Sequence, residues 1–154
     1  MVPIAKILKM TNNTLYITGA GVSAESGIPT FRGTDGFWTV GSQNYTPQEM
    51  ATRQMYLSHP DEFLLWYFKR FASYRHIKPN AVHHWLADKR LVTQNIDGLD
   101  GKAGNAAYVP IHGRLDKVTV LHEQGLDVPL IDAPWEDVAA ACDDLEDNER
   151  LTPI

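Results

Sequence analysis

Thr14-Leu15-Tyr16-Ile17-Thr18-Gly19-Ala20-Gly21-Val22-Ser23-Ala24 decides the fold class of this chain. The run from Thr14 to Gly19 is apolar and β-branched and closes on glycine, which predicts a buried strand. Gly19 to Ala24 then fits G-x-G-x-x-[G/A] directly after that strand. The missing side chains let backbone N–H groups approach a pyrophosphate, and a following helix N-terminus adds partial positive charge. Taken alone, the six residues suit a structural turn equally well. No acid stands at the end of an evident second strand about 20 residues on, where the ordinary dinucleotide fold holds the ribose.

Outward from this turn, Gly19 to Gly41 holds six of the 11 glycines together with Pro29. Thr46-Pro47-Gln48-Glu49 predicts a helix start, with Thr as N-cap and Pro at the first helical position. A second start at Ser58-His59-Pro60-Asp61 leads into Phe63, Leu64, Tyr67, Phe68 and Phe71 at helical spacing. A third helix is expected from Pro79 to Lys89, with Val82, Trp85 and Leu86 inward. Arg90–Gln94 and Ala107–His112 predict further strands, the latter confined to an edge or strand end by Pro110. Lys117–Leu121 alternates as a strand does, and Trp135–Leu145 predicts a last helix. Strands alternating with helices imply an α/β fold, a Rossmann-like parallel sheet flanked by helices. Residues 1–114 form the nucleotide-binding part of this reading, and 115–154 a small appended segment.

Composition narrows the function. Fourteen Lys and Arg against 19 Asp and Glu leave a net charge of −5, which gives no reason to expect nucleic acid. The balance is uneven, however. Leu115–Ile154 has two bases, Lys117 and Arg150, against 11 acids, so it carries −9 and Met1–Arg114 carries +4. The larger segment can therefore hold an anion. No apolar run reaches the roughly 18 residues of a membrane span, and MVPIAKILKM has no signal-peptide pattern. A single cysteine, Cys142, excludes an internal disulfide framework and fits a reducing, cytoplasmic compartment.

The longer run Gly19-Ala20-Gly21-Val22-Ser23-Ala24-Glu25-Ser26-Gly27-Ile28-Pro29-Thr30-Phe31-Arg32-Gly33 resembles the NAD-binding signature of the sirtuins, the NAD-dependent protein-lysine deacylases. Thr93-Gln94-Asn95-Ile96-Asp97-Gly98-Leu99, followed by Ala103-Gly104, is similar to a second sirtuin block, and His112-Gly113 to a third. The Pro79-Asn80 turn ahead of a helix agrees with them. The resemblance implies NAD as co-substrate and an acylated protein or peptide as partner. In this chemistry the acyl-lysine oxygen attacks C1′ of the nicotinamide ribose, nicotinamide leaves, and a histidine deprotonates a ribose hydroxyl that then attacks the acyl carbon. Lysine and O-acyl-ADP-ribose result.

By position His112 is the implied base, and an ordinary imidazole pKa of about 6.5 suits it. The other five histidines, His59, His76, His83, His84 and His122, are expected to be structural. Asn95 and Asp97 match the polar residues around the reacting ribose and nicotinamide carboxamide, with Ile96 as apolar wall and Gln94 as a ribose contact. Gly19, Gly21 and Ser23 fall in the phosphate turn. Ala20, Ile28 and Phe31 match the nicotinamide pocket, and Arg32 lies near the phosphates. Asn, Asp and Gly also favour a tight turn capping a helix, and both readings of 95–98 can hold together. Tyr67 and Arg70, three apart on one helix, resemble the subgroup that removes acidic acyl groups such as succinyl and malonyl. Arg70 would clamp a distal carboxylate and Tyr67 would add a hydrogen bond.

Three departures qualify the resemblance. Sirtuins commonly carry two cysteine pairs as zinc ligands after the catalytic histidine, and this chain has Cys142 alone, so zinc is not expected and Trp135, Leu130, Ile131 and Val138 are expected to hold the segment together. Asp100 stands where many sirtuins have histidine, and Pro110 lies just before His112. Finally, Leu151-Thr152-Pro153-Ile154 resembles the segment that leads back into the sheet, and the later strands are not in this sequence. A half sheet would expose an apolar edge. A second chain or another copy would cover it, the tail would refold over it, or the product is truncated with weak or no activity. A non-catalytic NAD or ADP-ribose module and an NAD glycohydrolase stay open as alternatives.

Overall fold

A computed structural model describes residues 14–30, 45–119 and 128–143. In chain order its elements begin with β1 (Leu15–Thr18), α1 (Gly21–Ala24), α2 (Pro47–Met50), α3 (Arg53–Ser58) and α4 (Pro60–Ala72). There follow α5 (Ala81–Leu86), β2 (Arg90–Thr93), α6 (Leu99–Lys102), β3 (Val109–Pro110), β4 (Lys117–Val118), β5 (Ile131–Asp132) and α7 (Trp135–Asp143). Two compact units result, one of Met1–Ile28 and Ile77–Ala133, the other of Pro29–His76 and Pro134–Ile154.

The first unit holds a parallel sheet in the order β1-β2-β3. Register pairs Tyr16 with Leu91 and Thr18 with Thr93, then Val92 with Val109 and Thr93 with Pro110. Pro110 sits in an edge strand of two residues, as its missing N–H requires. β1 is less buried than its composition predicts: Leu15 is 50% and Ile17 69% exposed. Alternation explains this. Tyr16 points to α5, meeting Trp85 edge-on at 5.2 Å, so Leu15 and Ile17 point the other way. Val109, level with Ile17 across Val92, is also exposed.

The third predicted helix is shorter than Pro79–Lys89 and is rotated from the expected phase. Leu86 is buried as expected, but Val82 is 41% and Trp85 55% exposed, and His83 takes the inward position with no exposure at all. The helix start sets this phase. Asn80 caps α5 by accepting from the N–H groups of Val82 and His83, and its own N–H donates to His83 Nδ1 at 3.2 Å. This is a capping box with histidine in the place of the usual Glu or Gln. β4 and β5 pair antiparallel as a small ribbon, with an ion pair between Lys117 and Asp132.

In the second unit, Thr46 caps α2 in a capping box with Glu49, and the two hydrogen bonds hold the Glu49 carboxyl below the usual range. Pro60 opens α4 at its first position. That helix buries two sides rather than the single predicted stripe. Trp66 packs with Met50 and Met55, flanked by Phe63 and Tyr67, while Leu65 packs with Val138 and Cys142, flanked by Phe68 and Trp135. Val138 and Trp135 therefore hold the later segment as expected, whereas Leu130 and Ile131 are about three-fifths exposed and do not. Among the described residues no helix is long and apolar enough to cross a membrane.

Candidate functional site

Parallel strands deliver their C-terminal ends to one edge of a sheet, and the three sequence blocks are joined there. β1 runs into the Gly19–Ser23 turn, β2 into Gln94–Asp97, and β3 into His112. The Gln94 N–H donates to the Thr18 carbonyl at 3.0 Å, and the Ile111 N–H donates to the Thr93 carbonyl at 3.0 Å, so adjacent strand ends are tied directly. The Leu115 N–H donates to the Ile96 carbonyl at 2.7 Å and closes the chain beyond His112 onto the same loop.

Ser23 is the hub of a buried polar cluster. It is 1% exposed, and its hydroxyl donates to Asp97 Oδ2 at 2.6 Å while accepting from Asn95 Nδ2 at 3.0 Å. Asn95, 6% exposed, also donates to the Gly19 carbonyl at 3.1 Å. His83 Nε2 lies 3.5 Å from the Ser23 hydroxyl. Because His83 Nδ1 accepts from the Asn80 N–H, the neutral ring carries its proton on Nε2 and presents it to Ser23. Burial lowers the His83 pKa below 6.5, with the facing Asp97 opposing. Asn80 Nδ2 in turn donates to the Val22 carbonyl at 2.7 Å. The α5 start is thus fastened to the glycine turn from both sides.

His83 is structural, as expected, but its position beside Ser23 does not follow from apolar periodicity. The available signal was Asn80-x-x-His83, a capping-box spacing that fixes which way the imidazole points. Asp97 has both oxygens engaged, Oδ1 accepting from the Leu99 N–H at 2.9 Å, yet a carboxylate retains further lone pairs. Gly98 follows at φ 74, where a Cβ would come within 3.0 Å of Asp116 Oδ1. Asp116 is fixed there by Arg114, whose Nε donates to it at 2.8 Å.

Space remains above the glycine turn. Among the described residues, a Cβ on Gly21 would meet nothing within 4 Å, and one on Gly19 only the Gln94 side chain at 4.0 Å. The room therefore lies over the turn, beside the Ser23–Asn95–Asp97 cluster, and suits an approaching phosphate or ribose. α1 is a single turn, so its dipole contributes little and the backbone of the turn carries the attraction. Ala20, Ile28 and Ile96 are half-buried, and Gln94 and His112 are exposed. Phe31 and Arg32 lie outside the described residues.

Tyr67 and Arg70 sit on α4 in the second unit, both half-buried. The Arg70 guanidinium lies over the Trp66 ring at 4.9 Å, and Tyr67 stacks against Phe63 at 4.5 Å. Burial lowers the Arg70 pKa, with Tyr74 and Tyr67 opposing, and raises that of Tyr67, with Arg70 opposing. Cys142 is buried against Leu65 and Val138, and with one thiol in the chain the residues do not fit a thiolate zinc site.

A parallel sheet whose strand ends converge on a glycine turn and a largely buried Ser–Asp–Asn–His cluster defines an α/β domain of the Rossmann-like class. Residues 19–137 match the model of the SIR2 (Sir2 family) domain, and the chain belongs to the Sir2 family. It is 39% identical over 146 residues to NAD-dependent protein deacylase 1 of Caldanaerobacter subterraneus subsp. tengcongensis, covering 85% of this chain and 59% of the relative. A solved Sir2 homolog–NAD complex superposes with a TM-score of 0.62 at 34% identity, over 84% of this chain and 51% of that one. A Sir2 structure with deacetylated p53 peptide and 3′-O-acetyl ADP-ribose gives 0.64 at 28% identity, over 96% and 61%. This chain spans about half the length of the curated relatives it matches.

Proposed function

We propose that this chain binds NAD at the C-terminal edge of β1, β2 and β3 and serves NAD-dependent removal of acyl groups from protein lysine. One observation carries the reading: the Ser23 hub locks the glycine turn to the Asn95–Asp97 loop, one strand away from His112. Bound NAD supplies an electrophilic ribose carbon and nicotinamide as leaving group. The chain's own residues then have distinct tasks. Gly19 and Gly21 leave room for phosphate against the turn. With its amide nitrogen committed to Ser23 and Gly19, Asn95 offers its carbonyl oxygen to a ribose hydroxyl or water. Asp97, fixed by Ser23 and the Leu99 N–H, accepts from the nicotinamide carboxamide. The exposed His112 takes the proton of a ribose hydroxyl. The names and contents of the relatives support the same reading, since they are NAD-dependent deacylases and complexes with NAD or an acetyl ADP-ribose.

The test incubates the chain with NAD and acetyl- or succinyl-lysine peptide and follows nicotinamide by chromatography. Release that requires the acylated peptide, and that His112→Tyr abolishes while nucleotide binding persists, supports deacylation. Release without peptide overturns it in favour of a glycohydrolase, and binding without release in favour of a binding module.

A further inference from the structure

Directly behind the Ser23 cluster lies a second buried carboxyl group that the proposed chemistry does not use. Asp100, in the first turn of α6, is 2% exposed, and its Oδ1 has no hydrogen-bond partner among the described residues. Each neighbouring element contributes a group to its surroundings. Thr93 of β2 supplies a hydroxyl: it accepts from Thr18 Oγ1 at 2.9 Å and from the Asn95 N–H at 3.1 Å, which leaves its own proton for Asp100. The turn before α6 supplies Asp97, a like charge. Ahead of β3, the Tyr108 phenol packs on Gly101, where a Cβ would come within 3.2 Å of its oxygen, and that buried hydroxyl has no hydrogen-bond partner among the described residues. Arg114, from beyond His112, stands over the Tyr108 ring at 5.3 Å but is committed to Asp116. His83 of α5 faces Asp97.

These surroundings favour a neutral acid. Burial foremost, and the Asp97 charge after it, raise the Asp100 pKa to about 6 against the Thr93 hydrogen bond, while burial pushes the Tyr108 phenol up to about 12. We infer that Asp100 is a positioning residue: protonated, it leaves the Asp97 carboxylate on the Ser23 hydroxyl, and deprotonated, it pushes that carboxylate away and loosens the Asn95–Asp97 wall of the site. The change is a single proton leaving Asp100 for solvent. Charge on Asp100 is opposed by the half-buried Asp97 because Asp100 itself is cut off from hydration. The effect on ligand rests on the NAD-site reading above; the effect on the hydrogen bond does not.

Carboxyl-detected carbon NMR of the full chain tests this without any variant. Asp100 titrates with a midpoint near 6, and the Ser23 and Leu99 amides, which report the two ends of the Asp97 contacts, move with the same midpoint. In Asp100→Asn, which keeps the shape and stays neutral, that movement is gone. ADP-ribose affinity of the wild type falls about fivefold from about pH 5 to about pH 8, the low end of ordinary site-to-site coupling, and stays level in the variant. An Asp100 midpoint near 4, or Ser23 and Leu99 amides that ignore its titration, overturns the inference. Coupled titration with no ADP-ribose binding at any pH supports the positioning role and counts against the nucleotide reading, so the two fail separately.

Discussion

Replacing Ser23 by Ala removes the hydroxyl that joins the glycine turn to both Asn95 and Asp97, and leaves the Asn95–Gly19 hydrogen bond as the remaining side-chain tie. The hydroxyl makes a 2.6 Å bond to a carboxylate, accepts a 3.0 Å bond from Asn95 and lies 3.5 Å from His83. A hydrogen bond to a charged group contributes about 1.5–3 kcal/mol net, and a neutral one about 1. Asn95 keeps its Gly19 partner and Asp97 its Leu99 partner, which limits the loss. The expected destabilisation is about 3 kcal/mol, or about 6–12 °C in Tm for a chain of this size. Urea and thermal unfolding followed by circular dichroism measure it. Ser26→Ala is the internal control, because the Ser26 hydroxyl is buried three residues further on with no hydrogen-bond partner among the described residues. Removing a buried polar group of that kind is neutral or stabilising. Equal effects of the two substitutions, or a Ser23→Ala loss below about 0.5 kcal/mol as at an ordinary surface site, would refute the hub.

Gly98→Ala forces an L side chain into the left-handed region and drives its Cβ onto the Arg114-held Asp116, a loss of about 2–3 kcal/mol; in an Asp116→Ala background only the backbone part, about 1 kcal/mol, should remain. Asp100 has a folded pKa of about 6, above its ordinary 3.8. Its cost is absent below the ordinary value, grows as pH rises between the two, and is fully present above 6, so Asp100→Asn should stabilise the chain at pH 8 by up to about 3 kcal/mol and have no effect near pH 3. Unfolding midpoints across that range decide it, and a gain at low pH would contradict the sign. Arg70→Met should weaken binding of a succinyl-lysine peptide about tenfold while sparing the acetyl-lysine peptide; equal losses would discard the carboxylate clamp.

The glycine turn, the parallel strands and the order of the three blocks were legible in the sequence because each is written in local chemistry. Gly19, the β-branched run before it and Pro110 constrain the backbone whatever surrounds them. What periodicity could not supply was the direction of side chains whose place depends on a polar partner. Val82 and Trp85 read as core because they are apolar, yet the Asn80 cap turns His83 inward and leaves Trp85 on the flank, against Tyr16 and under Lys89 at 5.4 Å. The same limit applies to α4, whose two buried sides reflect neighbours, α3 and α7, that no window of sequence around it contains. Asp100 stood out only as a departure from a family block. Its chemistry depends on Tyr108 and Asp97, which the fold brings to it from other parts of the sheet edge.

Titrating isotopically labelled chain with ADP-ribose and following backbone amides tests most directly whether one nucleotide spans the three strand ends. Saturable shifts concentrated at Gly19–Ser23, Gln94–Asp97 and His112–Gly113 are the predicted result. Shifts at the glycine turn that leave His112 untouched, or none at any of the three, would contradict it.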